Sequence, residues 1–364
     1  MSAASTAFSS QPRRPDAEGR DQIEGAPAAA TDGLVTPGAA LRIAVVIPCY
    51  RVKAQILAVL EGIGPAVERI YVVDDACPEG TGAYVEAACQ DSRVHVLRNA
   101  TNQGVGGAVI EGYRAALRDG MDVIVKLDGD GQMDPALIPD LVRPIAAGDA
   151  DYTKGNRFYN LERLREMPRL RLLGNALLSL LTKLSAGYWD IFDPTNGYTA
   201  IHWKVAAQLP LDKISRRYFF ETDMLFRLNT IRAVVLDVPM DARYGGGVSS
   251  LRISRIVLEF TVKHIRNFFK RLFYNYYLRD MSIASIQLPI GVAMLLAGLI
   301  DGFISWRTGL EQNVPTIPGT VTLVALLIIL GTQFILAFIG YDIANVPRKP
   351  ISPQLPSRRP GPGQ

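Results

Sequence analysis

From Leu41 onward, short apolar runs alternate with longer stretches of helical period. Arg42 to Pro48 (RIAVVIP), Arg69 to Val73 (RIYVV), Arg93 to Leu97 (RVHVL) and Val123 to Leu127 (VIVKL) read as four strands at intervals of about 25 to 30 residues. Helices fit between them, Gly106 to Arg118 being one. Strands alternating with helices predict a mostly parallel α/β sheet, and ligands of such sheets sit beyond the carboxyl ends of the strands. Polar clusters fall at those ends. Asp74 and Asp75 close the second strand, Asn102 to Gly107 follow the third, and Asp128 and Asp130 close the fourth.

The pattern changes toward the C-terminus. Ile283 to Ile300 is apolar apart from Ser285 and Gln287, and Gly319 to Gly340 carries no charge. Each approaches the roughly 20 residues that a helix needs to cross a bilayer, and neither lies where a signal peptide would. The segment between them, Arg307 to Pro318, holds one Arg and one Glu, whereas the tail after Tyr341 carries Arg348, Lys349, Arg358 and Arg359. Positive residues stay inside, which predicts a multi-pass protein of the cell membrane with its N-terminal domain and both termini cytoplasmic. Before the first span, Ile253, Ile256, Val257, Phe260, Phe268, Phe269, Leu272 and Tyr276 recur at helical spacing, with Arg252, Arg255, Lys263, Arg266 and Lys270 on the other side. That predicts interfacial amphipathic helices. Gly291 and Gly298 leave room for helices of two protomers to approach, so a homo-oligomer is among the expectations.

The expected organisation is a disordered tail over 1–40, an α/β domain over 41–250, interfacial helices over 251–280, two spans over 281–341 and a cytoplasmic tail over 342–364. The first segment is rich in Ala, Ser, Pro and Gly and has no hydrophobic period. A net charge of +4 needs no nucleic-acid partner, since the basic residues cluster beside the membrane segments. Cys49, Cys77 and Cys89 lack metal-ligand spacing and leave an odd thiol, so they read as packing residues in a reducing compartment. The chemistry concentrates in Asp128-Gly129-Asp130. Two carboxylates after an apolar strand suit Mg or Mn, which keep coordination sites for phosphate and water and stabilise a diphosphate leaving group. Gln103-Gly-Val-Gly-Gly departs from the dinucleotide spacing and reads as a close helix–strand packing turn.

Five motifs in order, VVIPCY (45–50), VVDDACPEGTG (72–82), NQGVGGA (102–108), KLDGDGQ (126–132) and DPTNGYTA (193–200), resemble family 2 glycosyltransferases of the GT-A fold. Within them the chain is most similar to polyprenyl-phosphate glycosyltransferases of the dolichol-phosphate mannose synthase type, and its two spans match the bacterial architecture. The resemblance covers about residues 42 to 251. It implies a GT-A domain followed by amphipathic juxtamembrane helices and a two-helix transmembrane hairpin. It also implies that Asp74 and Asp75 hold the base and ribose, with Pro48, Tyr50, Asn102, Asp128 and Gly129 on the nucleotide-sugar, and that Asp128, Asp130 and Gln132 hold the metal. Arg157 matches a family arginine near the acceptor phosphate, joined by Arg169, Arg171, Arg243 and Arg252. Asp130, Arg157 and Asp223 form the implied catalytic set, Glu221 or Asp223 orienting donor or arginine groups. Asp193 and Asn196 read either as sugar-hydroxyl ligands or as turn residues. Two departures stand out. Arg51-Val52 replaces the Asn-Glu of many relatives, and Ser250 occupies a position where relatives carry lysine, leaving Arg252 or Arg255 to supply the charge.

The implied reaction is an inverting transfer of one sugar from a UDP- or GDP-sugar to polyprenyl phosphate. A phosphate monoester has a second pKa near ~6, so the acceptor needs no general base. Another lipid or saccharide acceptor is the alternative, and an inactive scaffold the remote one. No Gln-x-x-Arg-Trp signature of a processive synthase is present.

Overall fold

The computed structural model describes residues 41–159, 169–241 and 253–357. Within them, β1 (Ile43–Cys49), β2 (Val67–Asp74), β3 (Val94–Arg98), β4 (Val123–Lys126), β5 (Tyr152–Asn156), β6 (Thr199–His202) and β7 (Val235–Pro239) form one sheet in the order β3-β2-β1-β4-β6-β5-β7. β6 runs antiparallel between β4 and β5; the other pairings are parallel. The four strands expected from the sequence are β1 to β4. Their apolar runs are continuous rather than alternating because both faces of the sheet are covered. Ala44 and Val46 pack on one side, and Val45 and Ile47 on the other, all fully buried. Burying each Val or Ile contributes about 1.5–3 kcal/mol.

Helices α1 (Ile56–Glu61), α2 (Thr81–Ala88), α3 (Val105–Arg118) and α4 (Ile138–Ala146) connect the first strands. The glycine-rich turn before α3 is a packing device, as expected. Gly104 has φ +85°, and a Cβ there would lie 2.6 Å from the Arg216 carbonyl oxygen; one on Gly106 would lie 2.6 Å from both Phe220 and the Ser215 carbonyl. The turn therefore seats the 215–220 segment directly over the sheet edge. Further along come α5 (Arg169–Ala186), α6 (Trp203–Gln208) and α7 (Phe220–Thr230).

α8 (Ile253–Phe273) leads through a π-helical turn (Tyr274–Arg279) into α9 (Ile283–Gln312) and α10 (Pro318–Ala344). The last two form a hairpin, and each is long and apolar enough to cross a membrane. Their outer faces expose Leu296, Leu299, Phe303, Leu323, Leu326 and Ile329. Gly291 and Gly298 do not await a second protomer. A Cβ on either would come within 2.9 Å of atoms on α10, so both are used up inside the hairpin of one chain.

The face assignment expected for α8 also changes. Phe260 packs edge-on against Phe219 with ring centroids 5.2 Å apart, while Leu272 and Tyr276 are buried beside Ala284 and Phe338. The exposed apolar stripe is a different one: Leu258, Val262, Ile265, Phe269 and Phe273, interleaved with exposed Arg266 and Lys270. α8 is apolar on two sides, one for the domain and one left over, and the periodicity of the sequence does not say which is which. On α5, which packs against α8, Leu173, Leu177 and Leu180 point outward while Ser185 bonds His264 Nδ1 at 2.8 Å. Its polarity is inverted relative to an ordinary surface helix.

One buried ion pair ties these pieces together. Arg271 donates to Asp342 at 2.6 and 3.0 Å and to the Leu184 carbonyl, and Asp342 also accepts from Trp189 Nε1 at 2.8 Å and Tyr276 at 2.5 Å. After α10 the chain returns to the domain. The amides of Ile351 and Ser352 donate to Asp151 at 2.9 and 2.8 Å, and Lys204 donates to the Leu355 carbonyl. This tail and the sheet domain therefore lie on the same side of any bilayer that the hairpin crosses.

Candidate active site

The carboxyl ends of β1, β2 and β4 open onto a cavity of about 750 Å³, within the size range of ligand pockets. Pro48, Tyr50, Asp75, Asn102, Asp128, Gly129 and Asp130, all expected from the sequence, line it. Tyr50 is largely exposed at its rim, a ring available for stacking. Asp75 is shaped by the loop after β3, accepting from Asn99 Nδ2 at 2.7 Å and from the amides of Gln103 and Gly104 at 2.9 and 2.8 Å. Ala76, at φ +52°, reverses the chain immediately after it.

Asp74 is not brought to this cavity. Its two oxygens accept from the amides of Cys77 at 2.7 Å and Gly82 at 2.6 Å, so it fastens the turn and the first turn of α2. Asp75 lines the cavity and Asp74 does not, so the expected contact of Asp74 to base or ribose gives way to a role in the turn. Gln132 is exposed and is absent from the lining; its backbone amide donates to Asp130 Oδ1 at 3.0 Å. Asp223 is turned away as well. It accepts from the Ser215 amide at 2.8 Å and from Asn267 on α8 at 3.2 Å, and pairs with Arg227, all beneath the loop. Two positions earlier, Glu221 faces the cavity instead, since residues i and i+2 of a helix project to different sides.

Glu221 meets a residue that sequence reasoning missed. Lys126, 1% exposed at the end of β4, donates to Asp128 Oδ1 at 2.8 Å and to the Gly197 carbonyl at 3.1 Å, and lies 3.3 Å from Glu221 Oε1. Burial opposes its charge, but Asp128 and Glu221 outweigh that and hold the amine above its ordinary range. Burial pushes the Glu221 carboxyl up, with Asp128 adding and Lys126 opposing. Lost water and the charge of Asp128 likewise raise Asp130. The only signal for Lys126 was a charge inside an apolar strand. Arg217 and Tyr218, on the segment over the glycine turn, and Phe260 of α8 complete the far wall.

Arg157 stands beside the cavity rather than in its lining. Its Nε and Nη2 grip Asp193 at 2.7 and 2.9 Å, and Asp193 is 1% exposed. Against burial, that fork and the charge of Lys154 hold the Asp193 carboxyl below its ordinary range. The 193–198 loop joins the two regions, because Thr195 lines the cavity. Asn196 serves the turn, its Oδ1 accepting from the Tyr198 amide at 3.0 Å. Arg169 and Arg171 begin α5, and their side chains lie outside the described residues, as do Arg243 and Arg252 altogether.

Among the described residues no third His, Cys, Asp or Glu joins Asp128 and Asp130 in a metal-binding group. Two carboxylates on an open cavity fit a hard divalent cation that completes its shell with phosphate oxygens and water.

A cavity at the carboxyl edge of a mostly parallel sheet, floored by carboxylates, defines the class: an α/β enzyme with its site at the strand ends. The sequence profile of glycosyl transferase family 2 matches residues 44–209. Undecaprenyl-phosphate mannosyltransferase of Micrococcus luteus is 33% identical over 204 residues, 55% of this chain and 83% of that protein. Polyprenol monophosphomannose synthase of Mycolicibacterium smegmatis is 30% identical over 204 residues, 55% of this chain and 76% of that protein. Among solved structures, glucosyl-3-phosphoglycerate synthase from Mycobacterium tuberculosis superposes with a TM-score of 0.49 at 19% identity, over 64% of this chain and 80% of that one. The chain belongs to glycosyl transferase family 2: it is a glycosyltransferase of the GT-A fold, followed by a hairpin of two apolar helices.

Proposed function

We propose that the protein transfers one sugar, with inversion, from a nucleoside-diphosphate sugar to a polyprenyl phosphate at the cytoplasmic face of the membrane. The observation that carries this reading is the double nature of the cavity. Its near wall is Asp75, Asp128 and Asp130 on strand ends, and its far wall includes Phe260 of α8, the helix that runs on to the hairpin. A polar donor and a lipid-borne acceptor can thus meet in one place. The names of the two bacterial relatives point to the same acceptor class.

In this reading Tyr50 stacks on the base, Asp75 and Asn102 take ribose or base donors, and Arg217 faces the diphosphate. Asp128 and Asp130 would hold Mg or Mn, which supplies positive charge to the departing diphosphate. Lys126 fixes the Asp128 carboxylate through Oδ1, so its orientation is set before substrate enters. The acceptor phosphate is already ionised near neutral pH, so the protein's task is to hold two anions close together. Arg157 meets the acceptor, with Arg169, Arg171, Arg243 and Arg252 as further candidates, the guanidinium fork matching phosphate oxygens. The exposed apolar faces of α5 and α8 rest in the headgroup layer and keep the site at the bilayer surface.

The test is transfer of radiolabelled sugar into a chloroform-soluble product by purified protein with Mg or Mn, undecaprenyl phosphate and a panel of UDP- and GDP-sugars. A single labelled lipid that requires the metal is the expected result. Donor hydrolysis with no labelled lipid would remove the proposed acceptor.

A further inference from the structure

Beside the cavity, two dipeptides face each other twice. Arg157-Phe158 follows the end of β5, and Phe192-Asp193 opens the loop that carries Thr195. The Arg157 fork closes on Asp193 at 2.7 and 2.9 Å, and next to it the Phe158 and Phe192 rings meet edge to face with centroids 5.2 Å apart. Both backbones are pinned. Asn156 Oδ1 accepts from the Phe158 amide at 2.9 Å, Asp237 Oδ2 accepts from the Phe192 amide at 3.1 Å, and Asn156 Nδ2 donates to that same Asp237 oxygen at 2.8 Å. A pair held this firmly could have been turned into the core, where phenylalanine is commonly found. Phe192 is instead 37% exposed and Phe158 half-buried.

A cation from a third element joins them. Lys183 of α5 places its ammonium 5.8 Å from the Phe192 ring centroid, within cation–π range, and donates to the Trp189 carbonyl. An ammonium has three N–H groups, so donors remain for an anion. Lys183 also ends the exposed apolar face of α5. Leu173, Leu177 and Leu180 precede it at spacings of four, three and three residues, which keeps all of them on one side of the helix. At about 1.5 Å per residue that face extends roughly 15 Å. An apolar track ending in an aromatic pair and two cations matches one kind of molecule, an amphiphile with a hydrocarbon chain and an anionic head. Resting on the polyprenyl-phosphate reading above, we infer that Phe158 and Phe192 hold the first isoprene unit of the acceptor and that Lys183 joins Arg157 on its phosphate, the chain lying along the outer face of α5. Because Phe192 and Asp193 are neighbours, the corner that grips the prenyl unit is the one that fixes the Arg157 guanidinium.

The experiment uses the full chain in one detergent at fixed concentration, with farnesyl phosphate, farnesol and inorganic phosphate as probes. Wild type should bind farnesyl phosphate more tightly than either farnesol or inorganic phosphate. Phe192→Ala should weaken farnesyl phosphate and farnesol by about tenfold, the scale of one lost aromatic contact, and leave inorganic phosphate unchanged. Lys183→Gln should weaken farnesyl phosphate and inorganic phosphate by about tenfold, the scale of one charge-assisted hydrogen bond, and leave farnesol unchanged. Phe192→Leu, which keeps an apolar side chain, should show a smaller loss of the same kind and serves if the alanine variant does not fold. Affinity for farnesyl phosphate within about twofold of wild type in the Phe192 variants or in Lys183→Gln would overturn the inference. So would a Phe192 variant that also loses inorganic phosphate, since the ring would then only be holding Asp193 and Arg157 in place. If wild type prefers farnesyl phosphate to neither of the other probes, the acceptor reading falls and this inference with it.

Discussion

Replacing Asp342 by Ala removes the acceptor at the centre of the Arg271 hub. Arg271 and Asp342 have side chains only 2% and 4% exposed, so the guanidinium would be left charged and buried with only the Leu184 carbonyl among the described partners. Breaking one side of a buried pair costs about 3–5 kcal/mol, and the Trp189 and Tyr276 donors lose their acceptor as well. For a domain of this size, that corresponds to a drop of roughly 10 °C in the unfolding midpoint, measured in one detergent at fixed protein concentration. The paired change Arg271→Met with Asp342→Leu should recover most of the loss, because an apolar pair of similar volume needs no compensation. A single variant that unfolds within about 2 °C of wild type, or a double variant as unstable as the single, would refute the assignment of this pair as the joint between domain and hairpin.

Asp130→Asn should keep the fold, since Asp130 lines the open cavity and takes no part in the core, yet weaken Mn binding seen by electron paramagnetic resonance and abolish metal-dependent transfer; unchanged Mn binding would move the metal elsewhere. Arg217→Ala should raise donor KM by roughly tenfold, the worth of one charged hydrogen bond, while acceptor KM stays constant. Two histidines should withdraw stability as pH drops from about 6.5 toward about 4. His202 and His264 are both held neutral by burial, with pKa lowered to about 4, so between those values the unfolded chain binds more protons than the folded one. His202→Gln with His264→Gln should flatten that slope, and urea midpoints across the window would show it.

The first four strands were legible because each is a mostly apolar, β-branched run closed by a turn. β5, β6 and β7 were not. Tyr152–Asn156 carries a buried Lys and an Asn, and its neighbour β6 is only four residues long, so neither shows a hydrophobic pattern. At the site, residues presented by backbone position were readable: Asp75, Asp128 and Asp130 all follow strand ends. Residues presented by side-chain direction were not. Glu221 and Asp223 differ by two places on α7, and only packing decides which one sees the cavity. Lys126 was hidden because a lysine in a strand reads as a solvated position, whereas here Asp128 and Glu221 compensate it in the interior.

The return of the 345–357 tail to Asp151 bears on how the enzyme moves. A domain joined to its hairpin by α8 alone would swing as on a ball joint, sampling every tilt of its cleft. With Asp151 clasping the tail that leaves α10, and Asp342 of α10 taking Arg271 and Trp189, the same domain is held at several separated points. Attachment at several points leaves no free swivel between domain and hairpin. The height of the cleft above the bilayer then becomes a property of the chain's own geometry rather than of thermal chance.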